Sequence, residues 1–218
     1  MKKGIDISYC QEGLDLTEAK KQGVEFVIIR AGISTKTDTE LEAHTSGAIK
    51  AELPYGFYWY SNAFSTADAE AEADACLKAI EHYHPTYPIF YDMEEKEQIE
   101  KLDKDTRTEI ITTFCEAVRD KGYTAGVYTN PSWMETYLDK SKIVGKYDIW
   151  LAHWTNDPDQ PSTYDYGQRM WQWGSKEMCG ETIDGDICFY DYEKPKNLRH
   201  IPILRVYKKE RKCLPCLR

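Results

Sequence analysis

Residues 55–94, YGFYWYSNAFSTADAEAEADACLKAIEHYHPTYPIFYDME, set two β-rich runs on either side of a helical one. Tyr55-Gly-Phe-Tyr-Trp-Tyr60 reads as a strand, Ser65 through Glu81 as a long amphipathic helix, and Tyr87-Pro-Ile-Phe-Tyr-Asp-Met-Glu94 as a second strand. Ser65 with Asp68 resembles an N-cap pair at the start of that helix. Strand, helix and strand in this order imply parallel strands joined by a right-handed crossover.

The same order extends both ways. Upstream, Gly4-Ile-Asp-Ile-Ser8 is a short β-rich run, Leu14 to Gln22 is a helix stopped by Gly23, Glu25 to Arg30 is a buried strand, and Thr39 to Ala51 is helical. Downstream, Asp105 to Lys121 is a helix ended by Gly122, Thr124 to Thr129 a strand, and Ser132 to Leu138 a short helix. Tyr147 to Trp154, Arg169 to Trp173 and Thr182 to Asp186 are strands with too little between them for full helices. Eight strands and about five helices predict an α/β fold, an irregular (β/α) barrel that is TIM-barrel-like but imperfect beside its last three strands. An open doubly wound sheet is the competing fold. No glycine-rich phosphate loop follows the first strand, which lowers its nucleotide-binding version.

Composition bounds the partners. Of 218 residues, 41% are hydrophobic and 30% charged, a globular balance that excludes disorder as the main state. Aromatic residues reach 13%, a density that suits stacking on sugars or bases and equally suits aromatic strands in a core. The net charge of −9 argues against a general nucleic-acid binder. Residues 194–218 carry nine Lys/Arg and one acid, Glu210, so this stretch holds +8 and the remainder −17. The expected organisation is an acidic domain over residues 1–192 and a basic C-terminal tail over 193–218, read as a solvated end. No stretch approaches the ~20 apolar residues of a membrane span. No apolar run of roughly 7–15 residues follows Lys2-Lys3, so no Sec-type signal peptide is expected. The seven cysteines are scattered and odd in number, which predicts free thiols in a reducing compartment. Cys213-Leu-Pro-Cys216 is a lone CxxC pair, a weak signal for a metal or redox site.

In parallel β/α barrels, functional side chains gather at the C-terminal ends of the strands. Acids recur there: Asp6 ends the first strand, Asp92 and Glu94 end the fourth, and Asp184 and Asp186 lie in the eighth. Alternation points Asp92 and Glu94 to one side, with Cα atoms ~6.5–7 Å apart. Two carboxyls that close cannot both ionise freely, so one pKa is expected to rise, giving a proton donor beside an anion near neutral pH. Tyr58, Tyr60, Tyr91, Tyr128, Trp154, Trp171 and Trp173 lie by the same strand ends, and as a set around carboxylates they point to carbohydrate.

At these residues the sequence resembles the lysozymes of glycoside hydrolase family 25, the Chalaropsis-type muramidases of bacteria and their phages. Gly4-Ile-Asp-Ile-Ser8 is similar to the family's opening segment, Gly23 to Gly32 to its second strand, Pro54 to Tyr60 to its third, and Tyr91-Asp-Met-Glu94 to its Asp-x-Glu strand. Gly126 to Asn130, Ile149 to Trp154, Met170 to Trp173 and Ile183 to Tyr190 fit later strands in order, over about residues 3–192. The resemblance implies an irregular barrel that cleaves the β-1,4 bond between N-acetylmuramic acid and N-acetylglucosamine in peptidoglycan. It implies Glu94 as general acid, Asp92 as its carboxylate partner, and Asp6 and Asp184 in the remaining acidic places. Asp184-Gly185-Asp186 offers two carboxyls one strand step apart; Ile183-Asp184 matches the family's closing pair, leaving Asp186 to substrate binding with Tyr58, Tyr60, Tyr128, Trp154 and Trp173. The expected chemistry retains configuration and needs no metal or other cofactor. For the second carboxylate, direct attack by Asp92 and attack by the sugar's own acetamide both remain open, with substrate assistance preferred. The expected partner is bacterial peptidoglycan, met by a monomer that stays cytoplasmic until a holin or lysis releases it. A catalytically inactive wall-binding barrel is the alternative reading.

Overall fold

The computed structural model describes residues 1–194. Its strands are β1 (Lys2–Ile7), β2 (Phe26–Ile33), β3 (Lys36–Thr37), β4 (Tyr55–Tyr60), β5 (Ile89–Asp92), β6 (Ala125–Thr129), β7 (Asp148–Ala152), β8 (Met170–Met178) and β9 (Glu181–Cys188). Its helices are α1 (Leu16–Lys21), α2 (Leu41–Lys50), α3 (Thr66–Ala79), α4 (Lys96–Lys101) and α5 (Lys104–Asp120). The sheet runs β1-β9-β8-β7-β6-β5-β4-β2-β3, and β1 also pairs with β2. Eight strands therefore close into a barrel, with β3 as a two-residue flap hairpinned onto β2. The expected irregular α/β barrel is what forms.

One strand departs from the parallel expectation. β1, β2, β4, β5, β6, β7 and β8 pair in parallel, whereas β9 is antiparallel to both neighbours, β8 and β1. The cause is local. Only Cys179 and Gly180 separate β8 from β9, and both have positive φ, 54° and 86°. That is a two-residue hairpin of the primed kind, whereas a parallel return needs a dozen residues or more. The barrel thus closes on a hairpin, and the chain enters β9 from the end where the other strands finish.

The barrel interior is a plug of large side chains. Phe26, Ile28, Tyr87, Phe90, Trp150, Met170 and Cys188 form one buried cluster, with Tyr58 and Tyr128 packed on it. Glycines make room: a Cβ on Gly4 would meet the Phe26 ring at 2.3 Å, and one on Gly126 the Phe90 ring at 2.3 Å. Outside the strands, a larger core packs the helices, and it includes Trp59, Phe57, Tyr91, Phe114 and Met134. α3 begins as expected, with Ser65 Oγ accepting from the Asp68 N–H at 3.2 Å. Two details differ from the sequence reading. α4 forms in a stretch to which the sequence pattern assigns no element, and the short helix expected over Ser132–Leu138 is a single π turn, Trp133–Tyr137. The connections over residues 130–147 and 153–169 carry no full α-helix, which is the irregular side of the barrel. Cys10, Cys76, Cys115, Cys179 and Cys188 are unpaired. Nearly all of the basic tail, with Cys213 and Cys216, lies outside the described residues.

Candidate active site

Strand register builds the mouth. Asp6 near the end of β1 sits opposite Asp184 of β9, and Asp92 at the end of β5 lies between Tyr60 of β4 and Tyr128 of β6. Because β9 runs antiparallel, Asp186 lies one layer deeper, opposite Gly4. Asp6, Arg30, Tyr58, Tyr60, Asp92, Glu94, Tyr128, Trp150, Gln172 and Asp184 line a hollow of about 140 Å³ at the mouth. A second hollow of about 190 Å³ adjoins it through Asp6, Tyr58 and Asp184 and runs on to Cys10, Gln11 and Thr182. A larger hollow of about 820 Å³ lies between Tyr147, Tyr166 and Arg169, away from the acids, so size does not mark the chemistry here.

The carboxyls differ in depth. Asp92 is buried, and burial pushes its pKa well above the usual range, with the charges of Glu94 and Asp6 adding and Arg30 opposing. Glu94 is exposed at the rim, yet the walls around its carboxyl desolvate it enough to raise its pKa, helped by Glu95 and Asp184. Asp6 is pushed up to about 7 by burial and then by Asp184. Burial raises Asp184 as well. Asp186 is fully buried and raised well above the usual range by burial, then by Asp6, although Trp150 Nε1 donates to it at 2.7 Å. One oxygen each of Asp92 and Asp186 is buried without a hydrogen-bond partner. Groups that interact this strongly titrate as a set, so the site holds protons near neutral pH.

Of the residues singled out in the sequence, Asp6, Asp92, Glu94, Asp184, Tyr58, Tyr60 and Tyr128 are brought together around the hollow. Trp154 stands at the rim, 52% exposed, and its Nε1 donates to Gln172 Oε1 at 2.9 Å. Asp186 supports the floor and does not line the hollow. Trp173 is placed elsewhere: it packs with Trp171 and Ile187, its ring against Gly185 on the outer face of the β8–β9 hairpin. Three lining residues were missed. Gln172 is the hub, donating from Nε2 to Asp6 at 2.9 Å and accepting from the Tyr128 hydroxyl at 3.0 Å. Arg30 faces the hollow while its Nε donates to Asp38 at 2.6 Å. Trp150 forms part of the wall, edge-on to Tyr58 and Tyr128. Strand alternation could have found Gln172, since it sets that residue opposite Trp171 and Trp173.

A closed barrel with desolvated carboxyls and aromatic rings at the strand ends defines a class of site suited to acid–base work on a sugar. The sequence profile of Glycosyl hydrolases family 25 matches residues 5–182, and the chain belongs to that family. It is similar to the autolytic lysozyme of Clostridium acetobutylicum, at 28% identity over 167 residues that cover 74% of this chain and 48% of the relative. Among solved structures it resembles the modular autolysin LytC of Streptococcus pneumoniae, with 31% identity and a TM-score of 0.72 over 85% of this chain and 46% of that one. It also resembles the catalytic domain of the endolysin ply40 from a bacteriophage of Listeria monocytogenes, with 27% identity and a TM-score of 0.71 over 86% of this chain and 93% of that one. The chain spans about half the length of the curated relative it matches.

Proposed function

We propose that residues 1–192 form a peptidoglycan hydrolase, an N-acetylmuramidase that cleaves the β-1,4 bond between N-acetylmuramic acid and N-acetylglucosamine with retention. The observation that carries this reading is the pairing of Asp92 and Glu94: both enter one hollow from one strand end, one buried and one open to solvent. LytC, which this chain resembles at 30% identity, has been solved with a synthetic peptidoglycan ligand. Glu94, accessible and with a raised pKa, gives a proton to the leaving oxygen and later takes one from water. Asp92 approaches the ring from the same side as the acid, whereas a carboxylate nucleophile would stand across from it. The sugar's acetamide oxygen therefore attacks the anomeric carbon in the form of the coupled pair that carries its proton on Glu94, while the Asp92 anion holds the acetamide N–H and offsets its positive charge. Two inversions, the second by water, give retention. Asp6 and Asp184 hold the sugar from the far side of the mouth, with Gln172 between them. Tyr58, Tyr60, Tyr128 and Trp154 offer rings for stacking, and release to the wall follows a holin or lysis.

Mass spectrometry of peptidoglycan digests tests the bond assignment. Products ending in reducing muramic acid are expected. Reducing glucosamine ends, amidase products, or wall binding without any cleavage would overturn it.

A further inference from the structure

β5 ends at Asp92, so Glu94 lies past the last ladder bond and needs another means of holding its position. Two hydrogen bonds bracket it. The Asp92 carbonyl accepts from the Ser61 N–H at 2.8 Å, and the Glu95 N–H donates to Gln98 Oε1 at 3.1 Å. The two anchors are themselves joined, since Gln98 Nε2 donates to Ser61 Oγ at 3.3 Å and to the Ala63 carbonyl at 3.0 Å. From there the bonds run one way. Ser61 Oγ donates to the Tyr91 hydroxyl at 2.9 Å, and that hydroxyl donates to Glu72 Oε2 at 2.7 Å. The other Glu72 oxygen accepts from the Asn62 N–H at 2.9 Å. The Ser61 and Tyr91 hydroxyls and the Asn62 N–H thus lead to Glu72, which accepts on both oxygens.

Resting on the hydrolase reading above, we propose that Glu72 is a positioning residue that fixes the Asp92–Glu95 tip through Tyr91, Ser61 and Gln98. Glu72 projects from α3 and is only 2% exposed, behind the strands rather than in the hollow. Its hydrogen-bond partners are neutral, and burial pushes its pKa up to about 7. A buried carboxylate without a cation costs stability, and packing alone at that place is better served by an apolar side chain. What the carboxylate adds is direction: an acceptor at the end of the chain sets the polarity of each hydroxyl before it. The tip carries the proposed acid, and a displacement of about 1 Å at such a group can cost ~10²-fold in rate.

The test compares Glu72→Gln, Tyr91→Phe and the double variant with wild type on purified peptidoglycan. The amide of Glu72→Gln must donate where the carboxylate accepted, so the bond from Tyr91 or from Asn62 is lost. Tyr91→Phe removes the link but keeps the ring stacked on Phe114, with centroids 4.0 Å apart. Each single variant should lower kcat by about tenfold or more, with KM within about twofold and the protein still fully folded at the assay temperature. The double variant should be no slower than the slower single, because both cut one chain. Wild-type kcat in either single variant overturns the role, as do losses that multiply in the double variant and track a falling melting temperature. Failure of the wild type to cleave peptidoglycan overturns the hydrolase reading itself, which keeps the two outcomes distinct.

Discussion

Asp92 and Glu94 were legible because period-two alternation and strand-end position are written in the sequence; their separation in depth was not, because depth depends on where β5 stops. The same alternation, applied to Met170–Trp173, separates Gln172 from its flanking tryptophans. The aromatic set obscured it, and Trp173 was assigned to the site although its ring lies on the outer face of the hairpin. Arg30 carries no such signal, being a lone cation at the end of a buried apolar run. At this scale, Glu94→Gln should reduce wall hydrolysis by ~10²–10⁴-fold with the fold intact, since the amide keeps the size and has no proton to give. Turbidity loss within a few-fold of wild type would remove Glu94 from the acid role. Glu95 is a subtler probe, because its charge helps to raise the pKa of Glu94. Glu95→Gln removes that charge, so Glu94 should ionise at lower pH. The alkaline limb of the kcat/KM profile should then move to lower pH, and an unmoved limb would show that Glu94 does not control it.

Among elements, α3 was readable because its start has ordinary chemistry: Ser65 caps the Asp68 N–H, and the Asp68 carboxylate accepts from Ser65 Oγ at 2.8 Å. α4 was not, because its capping residue is Glu95, where Ser, Thr, Asp or Asn is the usual signal, paired with Gln98 in a capping box. The run of charges at its start reads as a solvated strand end. α4 is held from outside: Arg107 of α5, itself buried, donates to the carbonyls of Gln98, Ile99 and Leu102. Helix and helix stop are thus supplied by tertiary contact, which local sequence does not display. Ser65→Ala should cost about 1 kcal/mol, the usual loss for removing a hydroxyl cap. In a domain of this size that is a fall of about 2–4 °C in melting temperature. Ser65→Thr, which keeps both the acceptor for the Asp68 N–H and the donor for its carboxylate, should restore it, and an unchanged melting curve for Ser65→Ala would mean that packing alone holds the first turn.

For the whole molecule, barrel closure was legible from the count of strands, whereas the hand of the last strand was not. The sequence pattern ends one strand at Trp173 and begins the next at Thr182, which leaves room for a connection that the two-residue turn does not contain. The antiparallel return carries Asp184 and Asp186 into a mouth already holding Asp6, Asp92 and Glu94, and this crowding has a global consequence. Asp6 is pushed up to about 7 and Asp92, Glu94, Asp184 and Asp186 are all raised, while burial behind the strands separately pushes Glu72 up to about 7. In the unfolded chain these groups titrate near their ordinary values of about 4. Between about pH 4 and 7 the folded protein therefore binds more protons than the unfolded one, and stability falls as pH rises. Asp15, Glu18, Glu97, Asp103, Glu135, Asp139 and Asp191 are shifted the other way by hydrogen bonds or cations at the surface. Their stabilisation is present above about pH 4 and is lost only as pH falls below that value, so it does not oppose the trend in the upper window. The melting temperature should therefore peak near about pH 4, where the two sets of groups cross over, and decline by roughly 5 °C or more by pH 8. Calorimetry across that range checks it: a flat or rising melting temperature would mean that the carboxyls of the mouth ionise freely and that their crowding does not hold protons for catalysis.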